Sequence, residues 1–410
     1  MVELKNKTLR FSFPEVHKDA VLEITLKRTL RVPDDDRLNL LPPGFDSFDL
    51  EHVADHSRFV PTKWREHGGV LLPMYASEAM WIRFSSPNDY PFAVKVASGK
   101  CCALTGETWI NGLTQGSRLA DGEITNLQNY VIVPKQPWLD GFNTGNGEVR
   151  QFVAEPLGEG ITVEEQLTGE AENGGLQIQV YPLKRALWLE ILEERRREEE
   201  RRLEELRRWR EDRERRLKAA QKDSKSPFSG WWNLRQKKDD SRCGEVVYDQ
   251  MLSKTLNCWS SEPNRQMSVQ CDMAKSREDF CLYQSAILDD SDECAKEMGL
   301  AAGGRIRQEI YKDERKLSEW DDRHTSRVFV HLLNAQEWRY VTGKPIPHKP
   351  FDTNTYNRHG FPWYDHYASN PSIEGSTKLA NVRTVAEWNP TLSGEDVAEP
   401  TMVIKTKRGS

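Results

Sequence analysis

The clearest alternation of apolar and polar residues lies near the N-terminus. The apolar positions are Leu22, Ile24, Leu26, Leu30 and Val32. Polar residues lie between them, and Arg28 interrupts the apolar side once. A period of two is typical of a half-buried strand, or of two strands that meet at a bulge.

Further short apolar segments follow, separated by Gly, Pro and Asn. They are Val70–Tyr75, Ala79–Phe84, Phe92–Ala97, Tyr130–Pro134, Val149–Ala154 and Gly175–Tyr181. Strands this short, with turn residues between them, predict a β-rich antiparallel sandwich or barrel over residues 1–182. Within it, Thr162 and Glu165 have the spacing of a capping box, which predicts a short helix Val163–Leu167.

A long charged segment, Leu183–Asp223, follows this β-rich region. Glutamates lie three or four residues before arginines, as in Glu193 and Arg197, which is the favourable orientation for helix ion pairs. About 38 residues in one helix would extend about 55–60 Å. The segment therefore predicts a single charged helix that acts as a spacer first and as a partner surface second.

The apolar residues on this predicted helix form an incomplete stripe. They are Leu203, Leu206, Trp209 and Leu217. The stripe falls short of three clean heptads, so it does not support a long coiled coil. A short antiparallel contact, or packing against a neighbouring domain, remains open.

The chain after the charged helix predicts a linker at residues 224–230, an α-rich mixed domain at 231–389 and a flexible tail at 390–410. The strongest periodic segment is Ser318–Val341, read as a helix that ends at Gly343. Gly303 and Gly304 precede another helix-like run through Lys316. The predicted fold class is α+β.

Composition and charge limit the classes of function. A chain of 410 residues has room for two or three domains. The net charge of −6, with eleven basic and ten acidic residues between Glu193 and Arg216, carries no nucleic-acid signature. No stretch of eighteen apolar residues exists, so membrane insertion is not expected. An N-terminus without an apolar leader segment and seven cysteines predict reduced thiols and a cytoplasmic location.

Histidines in the C-terminal part are the sharpest candidates for chemistry. The candidate catalytic residues are His324, His331, His359, Asp365 and His366, and the candidate metal ligands are the four histidines among them. A helix would place the first two histidines on one face, with Asp321 one turn earlier, and a loop returning over it could complete a divalent-metal or acid–base site. The spacing matches no established metal motif, so structural histidines and no cofactor are the plainer expectation.

Two further candidate sites, a reactive thiol and an anion site, are weaker. Lys100 could lower the pKa of a thiol at Cys101 or Cys102, yet buried structural cysteines are the better expectation. Arg305 and Arg307 could hold an anion at a helix N-terminus, against the plainer expectation of a turn with solvated arginines.

Several segments resemble a family of uncharacterised bacterial and fungal proteins. They are Ser77–Phe84, Gln136–Gly141, Arg150–Gly160, Val163–Gly169 and Glu297–Ile310. Members are sometimes labelled membrane proteins, which the hydropathy of this chain contradicts. The resemblance implies no activity, no cofactor and no catalytic residues.

Two hypotheses about function follow from the sequence. The first is a non-enzymatic interaction or scaffold protein, whose two modules are held apart by the rigid helix and which binds a protein partner or a second copy of itself. The alternative is a metal-dependent or acid–base enzyme with its site at the histidines of the C-terminal part.

Overall fold

Hydrogen-bonded strands dominate the part of the chain that the structure describes. The computed structural model describes residues 1–35, 37–118, 124–125, 127–223, 297–350, 363–367, 371–392 and 403–407. Two compact units result, Met1–Ile191 with Glu293–Ser410, and Leu192–Asp292.

The strands, numbered along the chain, are β1 (Val2–Lys5), β2 (Thr8–Ser12), β3 (Val21–Thr29), β4 (Glu51–His52), β5 (Val70–Met74), β6 (Ala79–Ser85), β7 (Phe92–Ser98), β8 (Cys101–Cys102), β9 (Ser117–Arg118), β10 (Ile124–Thr125), β11 (Val131–Val133), β12 (Trp138–Leu139), β13 (Gly141–Gly145), β14 (Glu148–Pro156), β15 (Leu176–Pro182), β16 (Glu297–Arg307), β17 (Ser326–Asn334), β18 (Trp363–Tyr367) and β19 (Val403–Lys407). The α-helices are α1 (Thr62–His67), α2 (Val163–Thr168), α3 (Arg185–Asp223), α4 (Trp338–Thr342), α5 (Thr377–Ala380) and α6 (Val385–Trp388). Short 3-10 helices span Val53–His56, Leu317–Glu319 and Pro390–Leu392.

One sheet of fifteen strands organises the first unit. Its main path runs β1–β2–β3–β6–β14–β16–β17–β15–β7–β11, with β12 on β6, β13 on β14, β8 on β7, β5 on β17 and β4 on β5. Neighbouring strands are antiparallel except β17 and β5, which are parallel. The predicted β-rich antiparallel character of the N-terminal half is therefore confirmed.

Strands from both sides of α3 meet in the middle of this sheet. β16 pairs with β14, and β17 pairs with β15, so two late strands lie between two early ones. The helix therefore does not separate the strands before it from those after residue 296.

The segment Ser318–Val341 is not the helix that its pattern predicted. It contains β17 and, after it, all but the last residue of the five-residue helix α4. Val328, Val330 and Leu332 are buried on one face of β17, and Leu333 is buried on the other. A strand with apolar residues on both faces lacks a clean period of two, and the same residues happen to satisfy a helical period.

The prediction of a helix-like run after Gly304 is also wrong, because Gly303 and Gly304 lie inside β16. A Cβ on Gly304 would come within 2.2 Å of the Pro33 carbonyl oxygen. The glycine here permits close approach of a neighbouring segment rather than a turn. The α-rich character predicted for residues 231–389 is thus not shown by the described residues, of which the longest elements are strands.

Two predicted helices are confirmed. The capping box starts α2, with the Thr162 hydroxyl accepting from the Glu165 N–H at 3.3 Å and the Glu165 carboxylate accepting from the Thr162 N–H at 3.1 Å. The long charged helix is α3, which begins at Arg185. Trp188 in its first turn is 1% exposed and packs on Tyr90 with ring centroids 4.7 Å apart.

Two further sheets have two strands each, β9 with β10, and a pair from the parts predicted as a long loop and a flexible tail. β18 from the loop region and β19 from residues 390–410 pair in parallel, with Asp365 opposite Lys405. Among the described residues, no helix combines the length and the apolar character that crossing a bilayer requires.

Candidate functional site

His324 lies in the turn before β17 and forms a local pair with Asp321. Its Nδ1 is 2.8 Å from Asp321 Oδ2, and its backbone N–H donates to Asp321 Oδ1 at 3.1 Å. Burial alone would raise the pKa of Asp321, but the hydrogen bonds from His324 and from the Arg323 N–H outweigh it and lower that pKa. This pair is exposed on the histidine side and could exchange protons with solvent.

His331 lies deep in β17 and belongs to a different environment. Its Nε2 donates to the Gly68 carbonyl at 3.0 Å, and its Nδ1 faces Glu297 Oε1 at 3.7 Å. The ring stacks on Trp64, with centroids 4.8 Å apart. The Nε2 thus has a hydrogen-bond partner, whereas the Nδ1 is too far from Glu297 for a hydrogen bond. Neither of these contacts involves His324.

The three remaining predicted residues cannot be joined to this picture. His359 lies outside the described residues. Asp365 and His366 lie in β18, whose backbone alone is described. Within the described ranges, no group of three His, Cys, Asp or Glu side chains is placed to hold a metal. The catalytic and metal assignments therefore stay predictions, without the shared helix face that first suggested them.

A buried charged cluster went unnoticed in the sequence. Arg28 Nε donates to Glu78 Oε1 at 3.3 Å, and His348 Nε2 is 3.0 Å from Glu78 Oε2. The side chain of Arg28 is 7% exposed, that of Glu78 is 2% exposed and that of His348 is 5% exposed. The Tyr75 hydroxyl donates to the His348 carbonyl at 3.2 Å, which anchors the start of the segment after α4.

The neighbouring cysteines Cys101 and Cys102 are buried, as the sequence predicted. Cys101 is 1% exposed and Cys102 is 4% exposed. Burial raises the pKa of Cys101 to about 12. Lys100 does not act on the thiols as supposed, because its Nζ binds Glu170 at 3.1 Å and also Glu172. Cys101 is therefore a protonated thiol near neutral pH and not a reactive thiolate.

The proposed anion site at Arg305 also fails, because β16 provides no helix N-terminus. Arg305 instead forms an ion pair with Glu148 on the neighbouring strand at 2.6 Å.

One sheet face carries a row of polar side chains across three strands. In the register of β7, β15 and β17, Gln179 lies opposite Lys95 on one side and opposite Arg327 on the other. Residues directly opposite each other in a sheet project from the same face. The Gln179 Oε1 atom is buried and accepts no hydrogen bond. Lys95, Gln179 and Arg327 therefore form one polar row across three neighbouring strands.

Lys95 is the most unusual member of this row. It is 1% exposed, and its ammonium group donates to the carbonyls of Ile110 at 2.6 Å and Gly112 at 2.7 Å. Its Nζ also lies 4.4 Å from the ring centroid of Trp109, and the guanidinium of Arg327 lies 4.7 Å from the same ring. Burial lowers the pKa of Lys95 to about 8.

A cavity of about 730 Å³ opens above Lys95. Its buried polar lining comprises Lys95, Cys102, Thr105, Asn129 and Ser376. Its outer part carries Glu107, Thr108, Glu374, Thr377 and Lys378. A volume of this size is in the range of small-molecule sites, and the lining favours a polar ligand.

Distant parts of the chain build the walls of this cavity. The Ser376 hydroxyl donates to the Thr105 carbonyl and also accepts from the Leu379 N–H, so the start of α5 is fixed against the loop after β8. The Asn129 side chain binds the other wall, accepting from the Thr114 N–H at 2.9 Å. A cavity assembled from residues 95, 105, 129 and 376 could not be found by spacing along the sequence. The only local signal is a lysine in the middle of the apolar segment Phe92–Ala97.

The second surface of interest is on α3. Every residue from 194 to 219 is exposed. Large apolar side chains remain exposed among the charges: Leu203 at 58%, Leu206 at 39%, Trp209 at 59% and Leu217 at 55%. At about 100° per residue these four lie within an arc of about 120°. Ion pairs such as Arg208–Glu204 at 2.6 Å and Arg216–Asp212 at 2.9 Å cover the rest of the helix.

Comparison with known proteins assigns neither surface a role. No protein-family model, no curated protein and no solved structure matches the chain. The proposals below therefore rest on the residues of this chain alone.

Proposed function

We propose that the protein is a non-enzymatic interaction protein whose helix α3 binds a protein partner or a second copy of the chain. The observation that carries this proposal is the exposed apolar stripe on α3. A helix that served only as a solvated rod would gain nothing from four large apolar side chains on one arc.

The stripe has the composition of a binding surface. A fully buried leucine contributes about 1.5–3 kcal/mol, and tryptophan is among the residues that dominate interface energies. The guanidinium of Arg213 lies 5.4 Å from the Trp209 ring centroid, which restrains the indole before a partner arrives. Ion pairs along the flanks keep the helix rigid, so little conformational entropy is lost on binding.

The wider prediction was of two modules held apart by a rigid helix. We propose the narrower form of it, in which the partner or the second copy binds along α3. We further propose the finer features of the sequence prediction: closure of the sheet as a sandwich or barrel, a short helix–helix contact of coiled-coil type along α3, and a cytoplasmic location.

A pair of glutamate substitutions on opposite faces of α3 tests the proposal. Trp209→Glu places a charge in the apolar stripe, whereas Arg201→Glu places the same charge on the far side of an equally exposed helix. We expect sedimentation equilibrium, or isotope-labelled affinity purification, to show an association that Trp209→Glu weakens at least ten-fold and Arg201→Glu leaves intact. Circular dichroism of both full-length variants checks that the helix persists.

An equal loss in both variants, or a wild-type chain that is monomeric and enriches no specific partner, would contradict the proposal. The first result would indicate that charge alone matters, and the second that α3 is only a spacer.

The enzyme hypothesis is kept on one observation, the exposed His324–Asp321 pair with its 2.8 Å contact. Metal analysis of the purified chain tests its metal form. Stoichiometric zinc, iron or manganese that is lost in a His359→Ala/His366→Ala variant would favour the enzyme and sink the scaffold-only alternative. No metal, together with unchanged melting in chelator, would remove the metal form of the enzyme.

A further inference from the structure

We propose that the cavity above Lys95 binds a small organic carboxylate, whose carboxylate group pairs with the Lys95 ammonium and whose other end carries hydroxyl or amino groups. This site is separate from α3 and does not depend on the function proposed above.

The first argument is the missing counter-charge. Among the described residues, the ionisable side chains that act on Lys95 are Cys102 and Arg327, and neither is a carboxylate. Arg327 is held by Gln177 and by the rings of Trp109 and Phe329, again without a described carboxylate partner. With no carboxylate paired to it among the described residues, the Lys95 ammonium makes the floor of the cavity electropositive. A buried charge of this kind is costly until an opposite charge arrives.

The second argument is the free donor capacity of the ammonium group. An ammonium carries three N–H donors. Two of them are taken by the carbonyls of Ile110 and Gly112. Among the described residues the third meets no further oxygen or nitrogen acceptor; the Trp109 ring lies 4.4 Å from the Nζ, and Lys95 lines the cavity. A carboxylate oxygen arriving there would form a charge-assisted hydrogen bond, which is about twice as strong as a neutral one.

The outer part of the cavity selects the class of ligand. Glu107 and Lys378 neutralise each other through an ion pair of 2.8 Å, which leaves Glu374 as an exposed acid at the mouth. An acid at the mouth disfavours a dianion such as a phosphate monoester and favours hydroxyl or ammonium groups on the outer end of the ligand. The hydroxyls of Thr108 and Thr377 line the same region and can bind such groups.

One residue of the cavity lining has an unsatisfied donor. Among the described residues, the buried indole Nε1 of Trp109 meets no hydrogen-bond acceptor. The Lys95 Nζ lies 4.4 Å from the centroid of the same ring. A carboxylate ligand that brings an acceptor to this end of the cavity can satisfy a group that the protein leaves unsatisfied.

The test uses the full-length chain and a set of two- to six-carbon hydroxy- and amino-carboxylates, with glycolamide as the neutral counterpart of glycolate and with inorganic phosphate. Saturation-transfer NMR and thermal shift are measured at constant ionic strength. Lys95→Met removes the charge at the floor, whereas Lys100→Met removes an outer lysine of the same hairpin. We expect at least one carboxylate to bind saturably, at least ten-fold more weakly to Lys95→Met and equally to Lys100→Met.

A second measurement holds even if Lys95→Met fails to fold. In the wild type, affinity for a hydroxy-carboxylate should fall about 30-fold between pH 7 and pH 9.5, because Lys95 loses its proton over that range. The other charged groups are Glu107, Glu374 and Lys378 in the cavity lining and Arg327 beside the Trp109 ring. Absence of saturable binding by every carboxylate, equal binding of glycolamide, or a pH-independent affinity would each overturn the proposal. Phosphate binding that exceeds carboxylate binding would also overturn it.

Discussion

The position of Arg28 can be read from the sequence, but its partners cannot. Its position as the one charge on an apolar strand side is visible in the sequence. Its explanation is not, because Glu78 is fifty residues away and His348 lies far beyond that. By contrast, the Thr162 capping box was predictable because both partners lie within four residues, so the chemistry is written in local order. The same difference in range explains why the Lys95 cavity was missed.

The histidines illustrate the opposite error. The seven-residue spacing of His324 and His331 suggested a common helix face. In the structure, Ser326 to His331 is extended strand, which at about 3.3 Å per residue covers about 16 Å. Spacing translates into proximity only when the element type is known.

Lys95 gives a prediction at this scale. Because its pKa in the folded chain, about 8, lies below the usual 10.5, the unfolded chain binds more protons between these values. Stability contributed by this site therefore rises with pH, and by about 2 kcal/mol between pH 7.5 and 9.5. Urea unfolding of wild type and Lys95→Met across this range should show the difference in unfolding free energy changing by that amount. A difference that does not vary with pH would mean that Lys95 is solvated in the folded chain.

At the scale of elements, local sequence was a good guide where a polar face or turn residues mark a strand. The edges of β3, β7 and β15 fall within a few residues of their predicted positions. Polar residues mark the outer face of β3, whereas β7 and β15 are buried and are bounded by turn residues such as Gly99 and Gly175. β16 and β17 lie in the centre of the sheet with both faces covered, and there the pattern lost its period. Helix and strand cannot be separated by periodicity in such segments.

The helix α3 carries the prediction at this scale. A peptide of residues 183–223 should be helical by circular dichroism at low salt, because pairs such as Glu204–Arg208 need no tertiary contact. Exposed pairs are screened, so helicity should decrease at 1 M salt, and it should decrease again at low pH as the glutamates gain protons. A peptide with glutamine at positions 193, 204, 211 and 214 is the matched control, and it should lose the salt response. Random coil at low salt would show that α3 depends on the rest of the chain.

For the whole molecule, the sequence predicted the main elements but not how the strands pair with one another. A β-rich N-terminal half, a long charged helix and a mixed remainder were all expected. That the remainder supplies the central strands of the same sheet was not, because strand pairing between residues 148 and 307 leaves no local trace. Pairing partners are chosen by complementary faces, which a single sequence does not label.

This connection predicts how fragments behave. A fragment of residues 1–182 lacks β16 and β17, so β14 and β15 lose the strands between them. We expect no cooperative urea transition for this fragment alone, and recovery of one when it is refolded with residues 297–410. The full-length chain is the reference for both measurements. A sigmoidal transition and dispersed amide NMR signals from residues 1–182 alone would instead establish an independent N-terminal domain.

The same strand order sets a timetable for biosynthesis. β15 leaves the ribosome with its last residue, Pro182, but its neighbour β17 ends only at Asn334. At about 5–20 residues per second, roughly 150 further residues take about 8–30 s to emerge. During that interval the nascent chain holds two long strands with unpaired edges, which are prone to pairing with other chains. A nascent chain of this kind is a natural client for chaperones that bind exposed strands, and faster translation beyond Asp223 would shorten its exposure.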